Sequence, residues 1–352
     1  MPVQNNLRMI PCITGSKLES LKSLLGGASV VSVVAHVHPD GGAVGSTAGM
    51  CSYLRDVLGK DAVCVLPEVP PASIRFIIPE SVPYIYADQD PEAAAARIAA
   101  SDLIILLDCN GFSRTEGLNA SLEASGARKV LIDHHLNPQE EQFYLVFSTP
   151  EISSASELLY WILTGLEGGA GKLPQACRTA LCAGMTTDTN NFANSVFPST
   201  FQMASELIAS GTDRDAVVAH IYNEYRENRI RLMGYMQSRE MRITPEGAAW
   251  MILTKDIQKQ FDYREGEAEG LVNVPLAINE VRLSVLLTEK EDCMRVSVRS
   301  KKGTSAQQLA VRYFNGGGHE NAAGGKLSLG KDIPAAEAAP AYVEKALKEF
   351  LG

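Results

Sequence analysis

This sequence lacks paired cysteines, long apolar runs and an excess of positive charge. Its seven cysteines are scattered without a Cys-x-x-Cys pair, so a zinc ribbon or a disulfide framework is a poor interpretation. No apolar run reaches the ~18 residues that span a bilayer and no signal peptide opens the chain, so we expect a cytoplasmic protein without membrane contacts. A formal net charge of −9 argues against a long duplex nucleic acid, which binds a broad basic surface. It does not exclude a short anionic substrate held by a few Arg and Lys side chains.

The 352 residues are too many for one ordinary hydrophobic core, so we expect two domains. Apolar strands alternate with helical segments in the first part, which predicts an α/β domain with a mainly parallel sheet over residues 1–212. An arginine-rich helix over Asp213–Met236 lies in a predicted helical linker, residues 213–240. Shorter strands then predict a smaller mixed α/β domain over residues 241–352.

Polar side chains that could carry chemistry follow the buried elements of the first domain. The apolar runs Val30–Val34, Leu103–Leu107 and Lys129–Ile132 are each followed within a few residues by Asp or His, as is the helical segment Ala176–Met185. These residues are His36, Asp40, Asp108, Asp133, His134, His135 and Asp188. Each alone has an ordinary explanation, because Asp caps helices and His satisfies buried carbonyls. Because the carboxyl ends of parallel strands form the ligand crevice of an open sheet, we expect them to converge.

Converging carboxylates repel one another unless cations neutralise them. Oxygen and imidazole ligands without thiolates favour Mn²⁺ or Mg²⁺ over a structural zinc. Two such ions about 3.5–4 Å apart support hydrolysis at phosphorus, because they stabilise both the entering and the leaving oxygen. The cluster therefore predicts a metal-dependent hydrolytic site.

Five motifs occur in order along the chain. They are HVHPD from His36, an Asp after the strand ending at Leu107, DHH from Asp133, TDT from Thr187, and GGGHENAAGG from Gly316. The first four resemble DHH phosphoesterases, and the last is similar to the DHH-associated C-terminal domain. Their order and spacing resemble the NrnA-like subgroup of oligoribonucleases and 3′,5′-bisphosphoadenosine (pAp) phosphatases, over nearly the whole chain.

The resemblance implies a two-metal site at named positions. His36 and Asp40 would hold the first metal ion, and Asp108 would bridge both ions. His134 and Asp188 would hold the second. Manganese is the implied metal, with magnesium as the alternative.

Other residues of the same motifs are implied to act beside the metals. Asp133 would lie behind the ligands and orient imidazoles. His135 would lie near the substrate phosphate, as a phosphate ligand or as a proton donor to the leaving oxygen. Asn137 and His38 are implied as secondary contacts, with a solvated turn residue as the alternative for His38.

One position departs from the family pattern. The segment after HxxPD normally reads Gly-Asp-Ala, whereas this chain has Gly41, Gly42 and Ala43, so the carboxylate that the family places at position 42 as a second-metal ligand is absent. Three interpretations stay open: an inactivated enzyme, a natural variant in which water or His38 fills the gap, and a protein that binds without turnover. We expect a phosphoesterase site that holds its second metal ion weakly.

In the second domain the resemblance implies contacts to the substrate. Successive backbone N–H groups at Gly316, Gly317 and Gly318 can form an anion nest, and a helix is expected to follow His319 and face the same anion. Arg299, in a strand shortly before, is implied together with His319 as a contact to the substrate's phosphate or base.

The predicted function is hydrolysis of short nucleotidic phosphoesters. The implied substrates are short oligoribonucleotides, pAp, and linear or cyclic dinucleotides. A pyrophosphatase or exopolyphosphatase is a less favoured alternative, because those relatives carry a different second domain without GGGH. A non-catalytic nucleotide-binding module is the alternative that Gly42 keeps open, and the sequence also leaves open whether the protein is a homodimer.

Overall fold

The computed structural model describes residues 10–352, which divide into two compact units between Glu224 and Tyr225. The helix expected over Asp213–Met236 is broken near this division into two helices, Arg214–Tyr222 and Glu227–Tyr235. The expectation of one continuous helix is therefore wrong. None of the helices in the described residues combines the length and the apolar character needed to cross a bilayer.

The first unit is built on a six-stranded sheet in which every neighbouring pair is parallel. Its strands are β1 (Val30–Val34), β2 (Asp61–Leu66), β3 (Tyr84–Tyr86), β4 (Leu103–Leu107), β5 (Arg128–Asp133) and β6 (Leu145–Ser148). The strand order is β3-β2-β1-β4-β5-β6, so the winding of the chain reverses between β1 and β4. Ligands of such sheets bind at this reversal, outside the carboxyl ends of the strands. The sheet confirms the expected α/β fold class.

Helices cover both faces of this sheet. They are α1 (Gly15–Gly27), α2 (Gly41–Asp56), α3 (Pro91–Ala99), α4 (Asn119–Ala124), α5 (Ala155–Glu167), α6 (Gln175–Asp188), α7 (Pro198–Ala209) and α8 (Arg214–Tyr222). Single 3₁₀ segments lie at Ala72–Ile77, Phe112–Leu118, Glu140–Gln142 and Ala170–Lys172. Strand β4 shows why both faces must be covered, because Ile104 and Ile105 pack into different apolar clusters on opposite faces.

Helices α2 and α6 pack closely because α2 has glycines at positions 41, 45 and 49, on one face at four-residue spacing. A Cβ on Gly45 would lie 2.6 Å from the Ala180 carbonyl oxygen and 2.7 Å from Gly184 Cα. The start of α2, at Gly42, meets the end of α6, at Asp188, so the two helices run antiparallel. This contact brings Asp188 to the carboxyl end of the sheet.

The second unit is built on a six-stranded mixed sheet with the order β11-β12-β10-β9-β8-β7, in which only β8 and β9 pair in parallel. Its strands are β7 (Arg242–Ile243), β8 (Ala248–Leu253), β9 (Leu283–Glu289), β10 (Cys293–Ser300), β11 (Gly317–His319) and β12 (Ala322–Ser328). Its α-helices are α9 (Glu227–Tyr235), α10 (Lys255–Gln260), α11 (Ala306–Tyr313) and α12 (Ala339–Leu351).

The glycine-rich segment of the second unit forms β11 and is followed by β12. The helix expected after His319 is therefore wrong. Close backbone approach explains glycine here, because a Cβ on Gly316 would lie 1.9 Å from the Gly324 carbonyl oxygen. The Gly316 N–H already donates to the Ala310 carbonyl oxygen at 3.1 Å, so it is not available to an anion nest.

Candidate metal centre

The turn after β1 brings His36 to the reversal point of the sheet. His36 is buried, and its Nδ1 lies 2.7 Å from the Val37 carbonyl oxygen. A carbonyl oxygen can only accept, so Nδ1 carries the proton and Nε2 presents its lone pair. That Nε2 lies 3.8 Å from Asp40 Oδ1 and 3.9 Å from Asp108 Oδ2.

Asp40 is the residue that begins α2. Its Oδ1 accepts a hydrogen bond of 3.1 Å from the Ala43 N–H, and 55% of its side chain is exposed. The positive end of the helix dipole favours a carboxylate at this position. Asp40 therefore caps the start of α2 in addition to lying close to His36.

Asp108 directly follows β4 and lies at the centre of the cluster. Its backbone has φ 57°, a left-handed conformation that is uncommon for residues other than glycine but that Asp and Asn tolerate better than most. Its buried carboxylate places Oδ1 3.3 Å from His134 Nε2 and 3.7 Å from His135 Nδ1. Asp108 thus contacts imidazoles that come from both neighbouring strands, β1 and β5.

Asp133 is the last residue of β5 and fixes the ring of His135. Its Oδ1 lies 2.7 Å from His135 Nδ1, and its Oδ2 accepts the His135 backbone N–H at 3.1 Å. Asp133 is fully buried, so these two contacts satisfy a carboxylate that water cannot reach.

The charges of Asp108 and His134 stabilise each other. Burial raises the pKa of Asp108, but the neighbouring imidazoles, His134 foremost, outweigh burial and hold the pKa below its ordinary value. Burial lowers the pKa of His134, but contact with Asp108 and the other nearby carboxylates raises it to about 9. The metal-free pair is therefore ionic at neutral pH.

Asp188 lies in an unfavourable electrostatic setting. It ends α6, where a carboxylate faces the negative end of the helix dipole. Burial, followed by repulsion from Asp108 and Asp40, raises its pKa well above the usual range. Oδ2 of Asp188 is buried without a hydrogen-bond partner in residues 10–352, whereas Oδ1 of Asp108 faces the His134 and His135 rings. A cation would supply the partner that Asp188 Oδ2 lacks and would offset the repulsion between the two carboxylates.

Two groups of side chains in the described residues can each bring three ligand atoms within 4.8 Å of one another. They are His36, Asp40 and Asp108, and Asp108, His134 and His135. The donor set of carboxylates and imidazoles fits a divalent cation such as Mn²⁺ or Mg²⁺. Asp188, predicted as a ligand, belongs to neither group, whereas His135, predicted to face the phosphate, belongs to one.

Gly42 lies directly against the carboxylates. A Cβ at this position would lie 2.5 and 2.6 Å from the two carboxylate oxygens of Asp188, and 2.8 Å from Asp108 Oδ2. The space in which a side chain would begin is therefore already filled. Ser156 also reaches this residue, with Oγ donating to the Gly42 carbonyl oxygen at 3.4 Å. No sequence pattern singles out Ser156.

Two predicted secondary contacts lie outside these groups. His38 is exposed, has φ 55° and forms a hydrogen bond with the Glu68 carboxylate, so it does not fill the gap at Gly42. Asn137 is exposed, with φ 56°.

The other predicted substrate contacts belong to the second unit. Arg299, on β10, donates from Nη1 to the Val298 carbonyl oxygen at 3.0 Å. Gly317 and Gly318 pair with β12. The side chain of His319 lies outside the described part of the structure.

Comparison with known proteins decides the family. Residues 30–185 match the model of the DHH family N-terminal domain, and residues 251–350 match the DHHA1 domain. The chain is 30% identical over 298 residues to the bifunctional oligoribonuclease and PAP phosphatase NrnA of Bacillus subtilis, covering 83% of this chain and 87% of that protein. The chain belongs to the DHH family. The resemblance inferred from the five motifs is confirmed.

Two further relatives agree with this DHH assignment. The NrnA protein of Thermus thermophilus is 28% identical over 303 residues, which is 84% of each chain. The crystal structure of an exopolyphosphatase-related protein from Bacteroides fragilis matches with a TM-score of 0.88 and 34% identity, covering 96% of this chain and 97% of that one.

Proposed function

We propose that this DHH protein is a metal-dependent phosphoesterase that hydrolyses short nucleotidic phosphoesters. One observation carries the proposal: three imidazoles and the buried carboxylates of Asp108 and Asp188 converge at the reversal point of a parallel sheet, and Asp188 Oδ2 has no hydrogen-bond partner among residues 10–352. The relatives from Bacillus subtilis and Thermus thermophilus are named as oligoribonucleases and PAP phosphatases, and one from Geobacillus thermodenitrificans as a cyclic-di-AMP phosphodiesterase. The candidate substrates are short oligoribonucleotides, pAp, and linear or cyclic dinucleotides.

The proposal assigns two divalent cations, Mn²⁺ or Mg²⁺, to the cluster. We assign His36, Asp40 and Asp108 to one ion, and Asp108, His134 and Asp188 to the other. Bound cations supply the Lewis acidity that offsets charge developing on phosphoryl oxygens. Asp188 is included for two reasons. A bound cation would stabilise its charged form, which the metal-free site disfavours, and would give its Oδ2 a partner.

The remaining predicted residues act on the substrate in this proposal. Asp133 holds the His135 ring in one orientation, and His135 contacts the phosphate or protonates the leaving oxygen. Asn137 is a secondary contact. For the second unit, the family resemblance assigns nucleotide contacts to Arg299, Gly317, Gly318 and His319.

In this proposal, the glycine at position 42 lowers the affinity for the second ion. The position contributes no carboxylate, and the Asp188 carboxylate lies over its Cα instead. We expect one ion to bind tightly and the other to bind less tightly.

The proposal places the enzyme in the cytoplasm. All seven cysteines are unpaired and six of them are buried, which suits a reducing compartment. A homodimer is compatible with the proposal, and sedimentation velocity of the purified chain would establish it.

The test is a substrate panel run on the present chain and on Gly42→Asp. The panel contains a 5′-phosphorylated diribonucleotide, pAp, cyclic di-AMP, pyrophosphate and polyphosphate, each with Mn²⁺, with Mg²⁺ or with EDTA. We expect Mn²⁺-dependent release of AMP from a nucleotide substrate, abolished by EDTA. Asp108→Asn should lower the rate roughly a hundredfold or more, because it removes the shared ligand. Asp215→Asn is the matched control, since that side chain is 96% exposed.

Two other outcomes would replace the proposal. The relative from Bacteroides fragilis is named as exopolyphosphatase-related, and hydrolysis of pyrophosphate or polyphosphate alone would favour that activity. Nucleotide binding without turnover, in both the present chain and Gly42→Asp, would favour a non-catalytic binding module.

A further inference from the structure

Arg114 lies between the two turns that supply the centre of the metal cluster. Its carbonyl oxygen accepts the Val37 N–H at 2.8 Å, and Val37 directly follows His36. Its own N–H donates to the Gly111 carbonyl oxygen at 3.3 Å, in the loop that begins at Asp108. The backbone of Arg114 is therefore attached to both the β1 turn and the β4 turn.

The residues on either side of Arg114 hold this segment in place. Phe112 is buried and packs edge-on against Phe143, and its backbone N–H donates a hydrogen bond to Gln142 Oε1 at 3.0 Å. Thr115 is fully buried and donates to the Phe112 carbonyl oxygen at 2.7 Å. These contacts hold the backbone of Arg114 in one position.

The guanidinium of Arg114 has no protein partner in residues 10–352, in which it is half-buried. Each of the other arginines in the described part of the first unit has a hydrogen bond, an ion pair or a ring contact. These are Arg55, Arg75, Arg97, Arg128, Arg178 and Arg214. An arginine that is held firmly by its backbone but left without a partner is poised for an external anion.

The segment that carries Arg114 begins close to the ligand shared by both candidate metal groups. That ligand is Asp108, and Arg114 follows it by six residues in the 3₁₀ segment Phe112–Leu118, whose backbone is bonded to the turn after His36. Arg114 is therefore attached at the carboxyl end of the sheet, where the candidate ligands converge, in a chain whose net charge is −9.

We propose that Arg114 binds a phosphate group of the nucleotide substrate beside the metal centre. The proposal rests on the proposed function and adds a residue that the family motifs do not assign in this chain. A planar guanidinium can donate two parallel hydrogen bonds to phosphate oxygens, which a lysine ammonium cannot do. The phosphate is thereby oriented by the protein as well as by the cations.

The experiment measures AMP binding by calorimetry and the KM for pAp by hydrolysis, both with Mn²⁺ present, for the unchanged chain, Arg114→Gln and Arg114→Lys. The matched control is Arg128→Gln, because Arg128 stacks on Tyr144 at the amino end of β5, the end opposite to the site. Mn²⁺ affinity without nucleotide is measured for all four proteins.

We expect Arg114→Gln to weaken AMP binding and to raise the KM for pAp about tenfold or more, the loss typical of a charge-assisted contact. Arg114→Lys should recover part of this loss, and Mn²⁺ affinity and Arg128→Gln should stay within about twofold of the unchanged chain. Unchanged nucleotide binding by Arg114→Gln would overturn the Arg114 proposal alone. An equal loss of Mn²⁺ affinity would also overturn it, because the residue would then act on the metal site. A third outcome separates the two proposals. If the unchanged chain does not hydrolyse pAp but AMP binding still depends on Arg114, the proposed hydrolysis of pAp is wrong and the Arg114 proposal is supported.

Discussion

At position 42 the carboxylates of Asp188 and Asp108 fill the space in which a side chain would begin. Replacement of Gly42 by Ala removes no ligand, yet its methyl group must push the Asp188 carboxylate away. We therefore expect Gly42→Ala to lower Mn²⁺ affinity about tenfold, at the lower end of losses caused by disturbed ligand surroundings. Isothermal titration with Mn²⁺ measures this directly.

The matched control for that change is Gly26→Ala in α1. A Cβ at Gly26 would meet nothing within 4 Å, so its Mn²⁺ affinity should equal that of the unchanged chain. Equal Mn²⁺ affinity of Gly42→Ala and Gly26→Ala would contradict this expectation. It would mean that a methyl group at position 42 does not disturb the metal ligands.

The raised pKa of His134 makes metal binding depend on pH. The folded-state pKa is raised from 6.5 to about 9, so the charged ring stabilises the metal-free fold fully below pH 6.5, and this contribution is lost as pH rises through about 9. Mn²⁺ must displace this proton, so its affinity should rise about tenfold per pH unit between pH 7 and pH 8.5. Titrations at several pH values measure the slope. A flat profile would exclude His134 as a ligand.

At the scale of elements, the close contact of α2 and α6 sets the position of Asp188. A Cβ on Gly45 would lie 2.6 Å from the Ala180 carbonyl oxygen, and backbone cannot move aside as a flexible side chain can. Gly45→Ala should therefore lower the free energy of unfolding by about 1–3 kcal/mol, the usual cost of overpacking. Urea denaturation checks this, with Gly26→Ala as the control. A value within 0.5 kcal/mol of the control, the spread of ordinary surface changes, would contradict the close contact.

Elements with strong apolar runs could be predicted from the sequence, and short or exposed elements could not. Strands β1, β4 and β5 were predicted because each contains three to five buried apolar residues that end at an abrupt polar turn. Strands β3 and β6 have three and four residues with half-buried positions, so they lack a comparable signal. The break between α8 and α9 was missed because neither proline nor glycine interrupts the helical pattern over 223–226.

At the scale of the whole molecule, the sequence predicted that side chains from separate segments converge at the candidate metal centre, but not how they contact one another. His36, Asp108 and His134 each follow a strand of one parallel sheet, so their convergence follows from the topology. The contact between Gly42 and Asp188 depends on how two helices pack, which periodicity does not encode. The sequence also could not predict that the Arg114 guanidinium has no partner among residues 10–352, because this follows only from the positions of all the neighbouring side chains.

The central claim is that Asp108 joins two sets of ligands around divalent cations. The most direct measurement is anomalous X-ray scattering at the manganese edge from crystals grown with saturating Mn²⁺. The account predicts an anomalous peak at the Asp108 carboxylate that is also in contact with His36 or His134. Manganese bound only elsewhere, with no peak at Asp108, would contradict it.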